Sequence, residues 1–196
     1  MKKVALIVIG VIGFVVVFLG ISLIAGYNKL VDVKVNVDFE YSEIDRRLQQ
    51  RYDTLTQLAT AVNGFQAHEQ TVYNMITSAR ESYALAKAQG DLQGMADADG
   101  LMSVALADLL VLFEDNEPLQ ATEAYGDYMD AVWGIESALT EARRLYNEAV
   151  KEYNKFVTKF PGVLYATLFS YTSEIDFWEV SDGATLIPNI VFGGQE

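Results

Sequence analysis

The sequence predicts an all-α protein in which an N-terminal transmembrane helix continues into an elongated antiparallel four-helix bundle and ends in an irregular C-terminal tail. Three observations predict this class. Residues 4–25 are apolar and uncharged. Later apolar residues recur at spacings of three and four, the period of a helix face packed along its neighbours. The breaks between these periodic stretches are short. We therefore divide the chain into an anchor (1–26), a bundle (27–162) and a capping or partner-binding tail (163–196).

The uncharged run is long enough to be a membrane anchor. Ser22 is its only polar side chain. At about 1.5 Å per residue it spans about 33 Å, against a bilayer core of about 30 Å. A cleaved signal peptide is the alternative, but its apolar core is usually about 7–15 residues, and residues 23–26 offer no A-x-A cleavage site. A lipoprotein anchor needs a cysteine, and the chain has none. We therefore expect a retained anchor.

The charge balance restricts the partners of the tethered part. The chain has 14 basic and 27 acidic residues, and removing Lys2 and Lys3 leaves a formal charge of −15 after the anchor. This charge disfavours nucleic acid and close contact with anionic lipid headgroups. The lack of cysteine excludes disulfides, thiolate catalysis and cysteine-based zinc sites. Lys2, Lys3 and the α-amine face only Lys29 and Lys34 across the anchor, which favours an inside N-terminus and an outside acidic domain.

Two periodic stretches follow the anchor and predict the first two helices. Residues 31–37 alternate as a strand would, but no turn flanks them, so we predict one continuous helix from the anchor to a break at Asn63-Gly64. The apolar stripes are Val37, Tyr41, Ile44, Leu48, Arg51, Leu55, Leu58 and Val62 on the first helix, and Phe65, His68, Val72, Met75, Ala79, Tyr83 and Ala86 on the second.

The third and fourth helices are predicted on either side of a proline. Residues 90–100 are rich in glycine and aspartate and predict a loop with solvated Asp97 and Asp99, since the spacing of an EF-hand is missing. Residues 101–115 predict the third helix, and Pro118 fits the start of the fourth. The stripe of the fourth helix is Ile135, Leu139, Ala142, Tyr146, Ala149, Tyr153, Phe156 and Phe160.

Pro161-Gly162 is predicted to close the fourth helix. The tail beyond it has β-rich pieces at 163–169 and 186–192 without periodicity. We therefore expect it to be irregular.

Arg51 is the most informative polar residue, because it interrupts an apolar stripe. A desolvated guanidinium must be paired. Candidate partners on the fourth helix are Glu136, Glu148 and the Asn147 and Asn154 side chains. We expect a structural polar layer that fixes the register of the helices, and an anion-binding pocket is the alternative.

The other candidate polar residues are best explained as structural. His68 is the only histidine and lacks the companions of a metal or catalytic site, so we expect a hydrogen-bonded residue at the core edge, with a pH switch as the alternative. Tyr146-Asn147 and Tyr153-Asn154 repeat at seven residues on one helix face. Their expected role is core packing with a hydrogen-bonded edge, and a ligand cleft is the alternative.

Small residues in the anchor predict self-association. Gly13 and Gly20 lie seven residues apart on one face, and Ser22 and Gly26 form a further small-residue pair. Small residues let helix backbones approach closely in lipid. We expect a homo-oligomer.

Several motifs resemble those of the LemA family, over almost the whole chain and in the family's order. They are Tyr27-Asn28-Lys29-Leu30-Val31 (YNxLV), Gln50-Arg51-Tyr52-Asp53, Asn63-Gly64-Phe65 and His68-Glu69 (QRRxDLIPNLV…KGYxxHE), Ala79-Arg80, then Arg143, Tyr146-Asn147, Val150, Tyr153-Asn154 and Phe160-Pro161 (RxxYNxxVxxYNxxxxxFP), and Pro188, Val191 and Phe192 (PxVxF). The chain departs at Gln50, at Leu55-Thr56-Gln57 and at Phe39, which marks a divergent member. The resemblance implies a membrane-anchored helical bundle of undefined activity, with no catalytic residues to carry over.

Two classes of function fit the sequence. The first is a non-enzymatic, membrane-anchored scaffold or accessory protein that self-assembles or docks onto another membrane protein. The alternative is a bundle that senses a small molecule or anion among Arg51, His68 and the tyrosines. No catalytic constellation, metal-ligand set or phosphate loop is visible, so we expect no enzyme activity, no metal and no cofactor.

Overall fold

A computed structural model describes residues 2–61, 69–114, 123–171 and 174–179. Within these residues the chain forms five α-helices: α1 Lys2–Ala61, α2 Glu69–Gln89, α3 Leu92–Glu114, α4 Glu123–Thr158 and α5 Gly162–Leu168. The predicted all-α class, with a long apolar N-terminal helix and a helical bundle, is confirmed. Residues 31–37 are helical, so α1 runs without a break from the apolar run into the polar part of the chain.

The chain divides into two compact units. The first comprises Met1–Tyr41 and Leu145–Phe177, and the second comprises Ser42–Arg144 and Trp178–Glu196. The helices α1 and α4 each contribute residues to both units.

The core of the second unit is built from the apolar stripes of α1 to α4. Heptad spacing places one side chain per turn on the same face, so each helix buries a continuous ridge. The buried residues include Ile44, Leu48, Leu55 and Leu58 of α1, Val72, Ile76, Ala79 and Tyr83 of α2, Met95, Met102 and Leu106 of α3, and Val132 and Leu139 of α4.

The first unit combines the earlier part of α1 with the end of α4 and with α5. Its core includes Leu30, Val33 and Val37 of α1, Tyr146, Ala149, Val150 and Tyr153 of α4, and Tyr165 and Ala166 of α5. In contrast, the apolar side chains of residues 4–24 of α1 are exposed, from 41% at Leu23 to 71% at Phe14.

The prediction of a loop at residues 90–100 is wrong. Only Gly90 and Asp91 separate α2 from α3, and Gly90 adopts a positive φ of 69° that a glycine tolerates. The Asp91 carboxylate accepts the Gly94 N–H at 2.9 Å and caps the new helix. Asp99 is buried on α3 rather than solvated, whereas Asp97 is exposed as expected.

The β-rich appearance of 163–169 is also misleading, because these residues form most of α5. Tyr165 and Ala166 are buried, so packing outweighs the weak helix propensity of the segment. The predicted stripe of the fourth helix also ends early, since α4 stops at Thr158 and Phe160 is 81% exposed.

Some sequence predictions lie outside the described residues. They are the break at Asn63-Gly64, the environment of His68, the helix start at Pro118 and the segment 186–192.

Candidate functional site: a buried charge network in the second unit

Arg51 of α1 is the central residue of the candidate site and is only 1% exposed. Its Nη1 donates to Asp99 Oδ1 at 2.5 Å and to the Asp99 carbonyl at 3.2 Å. Its Nη2 donates to the Ser103 hydroxyl at 3.0 Å. Its Nε lies 2.6 Å from Glu136 Oε1, an ion-pair distance at which the N–H is not aligned for a hydrogen bond. Arg51 therefore joins α1 to both α3 and α4.

Asp99 bridges two arginines. Its second carboxylate oxygen accepts a hydrogen bond from Nη2 of Arg143, which lies about two turns past Glu136 on α4. Asp99 is 2% exposed, so its charge depends on these two partners. The network contains two guanidinium groups and two carboxylates and is formally neutral. It has no uncompensated charge to offer to an anion.

Burial shifts the titration of two groups beside the network. It raises the pKa of the Glu136 carboxyl above its ordinary value, and this outweighs the opposing effect of the Arg51 guanidinium. Burial, and after it the charge of Asp99, raises the pKa of the Tyr52 hydroxyl. That hydroxyl has no hydrogen-bond partner within the part of the chain that the structure describes. Both pKa shifts come mainly from desolvation. Desolvation shifts pKa values in structural ion-pair networks as well as in catalytic sites, so these shifts do not indicate catalysis.

The tyrosine–asparagine pairs lie elsewhere, in the first unit. Asn154 donates from Nδ2 to the Ile175 carbonyl at 2.8 Å and accepts the Ile175 N–H on Oδ1 at 2.8 Å. The Tyr146 hydroxyl donates to the Asp176 carbonyl at 3.1 Å. These side chains replace the backbone hydrogen bonds that the residues after α5 would otherwise lack. They attach Ile175 and Asp176 to α4.

The same face of α4 carries the two core tyrosines. Burial, and then the neighbouring Tyr41, raises the pKa of Tyr146 to about 12. Burial also raises the pKa of Tyr153, which is 0% exposed. Asn147 is half-buried between them. Both tyrosines therefore stay protonated near neutral pH, and both are packed in the core of the first unit.

The small residues of the anchor fall into two groups. The Ser22 hydroxyl is 2.9 Å from the Tyr165 hydroxyl, and Gly26 lies directly against the Tyr165 ring, where a Cβ would overlap it. Ser22 and Gly26 thus pack within the chain. Gly13 and Gly20 have no described atom within 4 Å of the position that a Cβ would take.

The described part of the second unit also has an open groove of about 430 Å³ beside Arg47, Asp53 and Gly134. Ligand sites are usually enclosed and mostly apolar, and this open groove lacks the enclosure. Among the described residues no group of three or more His, Asp or Glu side chains could hold a metal ion.

Sequence reasoning found Arg51 and one of its partners, Glu136, but missed Asp99, Ser103 and Arg143. Asp99 and Ser103 are four residues apart and therefore share a helix face. That spacing, followed by the apolar run of α3, was a usable signal once the segment was recognised as helical. The interaction of Tyr165 with Ser22 had no comparable signal, because 143 residues separate the two.

These features define a class: a helical-bundle protein with a charge network in its core and one long apolar N-terminal helix that is a candidate membrane span. A family model described as the LemA family matches residues 40–192. The chain belongs to the LemA family. A comparison with curated proteins found no match.

Proposed function

We propose that this chain is a non-enzymatic, membrane-anchored helical scaffold or accessory protein. The observation that carries the proposal is the exposure of the apolar side chains of residues 4–24 on a helix that continues into the bundle. Exposing so many large apolar groups to water would be costly, at roughly 25 cal/mol per Å². A lipid bilayer removes that cost.

The charge network supports a structural rather than a catalytic role. Arg51 and Arg143 balance the charges of Asp99 and Glu136, and Arg51 and Asp99 are almost fully buried. Substrate would have to break these ion pairs to reach either group. The pairing also leaves the alternative of an anion sensor at Arg51 without a free charge to bind with.

Membrane extraction tests the anchor directly. The full chain is expressed, and membranes are washed with alkaline carbonate, which releases peripheral proteins but not inserted ones. We expect the wild type to stay in the pellet. Phe14→Asp combined with Val17→Asp should release it, because an aspartate at the centre of a spanning helix costs about 2.5–3.5 kcal/mol.

A matched control uses two apolar residues of α1 that lie beyond the apolar run and are also exposed. Val35→Asp combined with Phe39→Asp should leave the protein in the pellet, since both positions are 59% exposed and lie outside the predicted span. Release of the wild type by carbonate would contradict the anchor.

We further propose that the acidic bundle faces away from the cytoplasm, supported by the excess of positive charge before the anchor. The chain has no cysteine, so Ser137→Cys introduces a single thiol at an exposed position. It should react with a membrane-impermeant maleimide in intact cells. Reaction only after lysis would show that the bundle faces the cytoplasm and would contradict the proposed orientation.

Self-assembly is the last part of the proposal. Gly13 and Gly20 support it, because their open face would let a second copy approach closely in lipid. Another membrane protein is the alternative partner for the same face.

A further inference from the structure

The helix α5 and its flanks carry an exposed apolar surface that the anchor does not account for. Residues 160–173 contain no charged side chain. The exposed members of this surface, called the α5 face below, are Phe160, Val163, Leu164, Leu168 and Phe169, with exposures from 37% at Phe169 to 81% at Phe160. A helix that is apolar on all sides is ordinarily covered on all sides.

Only one side of α5 is covered by described residues. Gly162, Tyr165 and Ala166 are buried, and the Tyr165 ring stacks on Phe156 of α4 with centroids 6.5 Å apart. The opposite side, with Leu164 at 56% and Leu168 at 61%, is exposed. Exposed apolar patches are candidate interaction surfaces.

The position of α5 along α1 indicates what covers this surface. Tyr165 bonds to Ser22, which lies inside the apolar run, and packs on Gly26, which follows it. Phe169 contacts Tyr27 edge to face, with centroids 4.7 Å apart. The α5 face is therefore continuous with the end of the anchor.

We propose that the α5 face lies in the lipid bilayer as a second membrane contact, at the boundary between headgroups and acyl chains. This inference rests on the proposed anchor. Ser22 lies three residues before the end of the apolar run, a rise of about 4.5 Å along the helix. Interfacial apolar faces are typically buried about 5–10 Å into the same boundary. The first depth is close to the lower end of the second.

The aromatic residues at this level fit the same assignment. Tyr27, Tyr165 and Phe169 lie at the end of the anchor. Tyrosine and tryptophan are enriched at membrane–water interfaces, where a ring is partly in hydrocarbon and its polar end is hydrated. The contact is apolar, so it requires no anionic lipid. It is compatible with the acidic charge of the chain.

Site-directed spin labelling tests the proposal in the full chain. The protein has no cysteine, so a single introduced cysteine takes the nitroxide label. The variants are Leu164→Cys and Leu168→Cys on the α5 face, Phe14→Cys on the anchor and Phe39→Cys on α1, all at exposed positions that a label can occupy without repacking. Each is reconstituted in nanodiscs of phosphatidylcholine alone, and collisions with oxygen and with a water-soluble nickel complex are measured.

Oxygen concentrates in the bilayer and the nickel complex stays in water. We expect the labels at 164 and 168 to lose nickel collisions and gain oxygen collisions relative to position 39, as the label at 14 does. Position 39 lies about 21 Å beyond the apolar run along α1 and serves as the aqueous reference.

The outcomes separate this inference from the proposed anchor. If the label at position 14 is in lipid but the labels at 164 and 168 collide with nickel as often as the label at 39, the α5 face is in water and the inference is overturned. If 164 and 168 are shielded from both reagents, a protein partner covers them, which also overturns it. If 14 itself behaves like 39, the anchor fails.

Discussion

Arg51 illustrates how one residue couples three helices. Its guanidinium extends from α1 to Asp99 and Ser103 of α3 and to Glu136 of α4. A buried ion pair adds little net stability over an apolar pair, because desolvation offsets the attraction. It acts more strongly against alternative packings of the helices, since sliding any one helix by a turn would leave buried charges unpaired. We expect this requirement to fix the register of α1, α3 and α4 in the second unit.

Replacing Arg51 by alanine should destabilise the second unit strongly. The carboxylates of Asp99 and Glu136 would keep only Arg143 for compensation, and leaving a buried charge unpaired costs about 3–5 kcal/mol. Urea unfolding of the full chain in detergent, followed by circular dichroism, measures the effect. Arg144→Ala is the matched control, because it removes an exposed pair with Glu141 and should leave the midpoint nearly unchanged. Equal midpoints for the two variants would show that the Arg51 contacts do not hold the fold.

Glu136 should make the protein less stable as the pH rises. Its pKa is raised in the folded chain above the ordinary value of 4.5, so the folded state binds more protons than the unfolded state over the interval above that value. The free energy of unfolding therefore falls as the pH rises through that interval. We expect the wild type to lose stability relative to Glu136→Gln as the pH rises above the ordinary pKa of 4.5.

Glu141 provides a control of opposite sign. Its hydrogen bond to Arg144 lowers its pKa, so its contribution is present above the unfolded pKa and is lost as the pH falls. The stability difference between wild type and Glu141→Gln should therefore increase with pH. A Glu136 series with the sign of the Glu141 series would mean that the Arg51 ion pair dominates over burial.

At the scale of elements, α5 shows how the contacts of one side chain can fix a short helix. Seven residues form few hydrogen bonds of their own, and isolated helices of that length are unstable in water. Tyr165 supplies the missing stabilisation by packing on Gly26 and bonding to Ser22. The glycine is required there because the ring occupies the space of a side chain.

A side chain at residue 26 should displace α5. Gly26→Val places a Cβ inside the Tyr165 ring, and such overpacking typically costs about 1–3 kcal/mol. We expect faster backbone hydrogen exchange across Gly162–Leu168 in nanodiscs, measured by mass spectrometry. Gly13→Val is the matched control, because no described atom lies near that position. Unchanged exchange in Gly26→Val would show that α5 is held by other contacts.

For the whole molecule, the acidic charge and the proposed membrane anchor have opposite effects on self-association. The formal charge of the chain is −13, so identical faces repel. This repulsion is screened beyond about 8–10 Å at physiological salt. The proposed anchoring in one plane would raise the effective concentration of copies. Repulsion should therefore select which faces meet rather than prevent association.

We expect the full chain to form homo-oligomers in mild detergent. Light scattering after size-exclusion chromatography should give a protein mass that is a multiple of 21.8 kDa. Gly13→Leu combined with Gly20→Leu should reduce it, because the side chains would separate the helix backbones. Val11→Leu is the control, since a rotation of about 100° per residue places Val11 on the opposite face of α1. A single-chain mass for the wild type at every salt concentration would contradict self-assembly and favour an accessory subunit.

Much of the architecture follows from the sequence alone. The absence of charge in residues 4–25 and the heptad spacing of the later apolar residues are local patterns, and each specifies a helix without knowledge of its neighbours. The long continuous α1 and the all-α class were therefore predictable. The need of Arg51 for a carboxylate was predictable too, because it follows from desolvation alone.

Only the tertiary structure decided which groups meet. Asp99 reaches Arg51 from a segment whose glycines and aspartates indicate a loop, and burial of its neighbours Ala96 and Ala98 overrides that local preference. Tyr165 likewise forms its contacts across 143 residues of sequence. Such pairings depend on how helix faces pack against each other, and a periodic stripe of apolar residues shows that a face is buried but not which residue faces it.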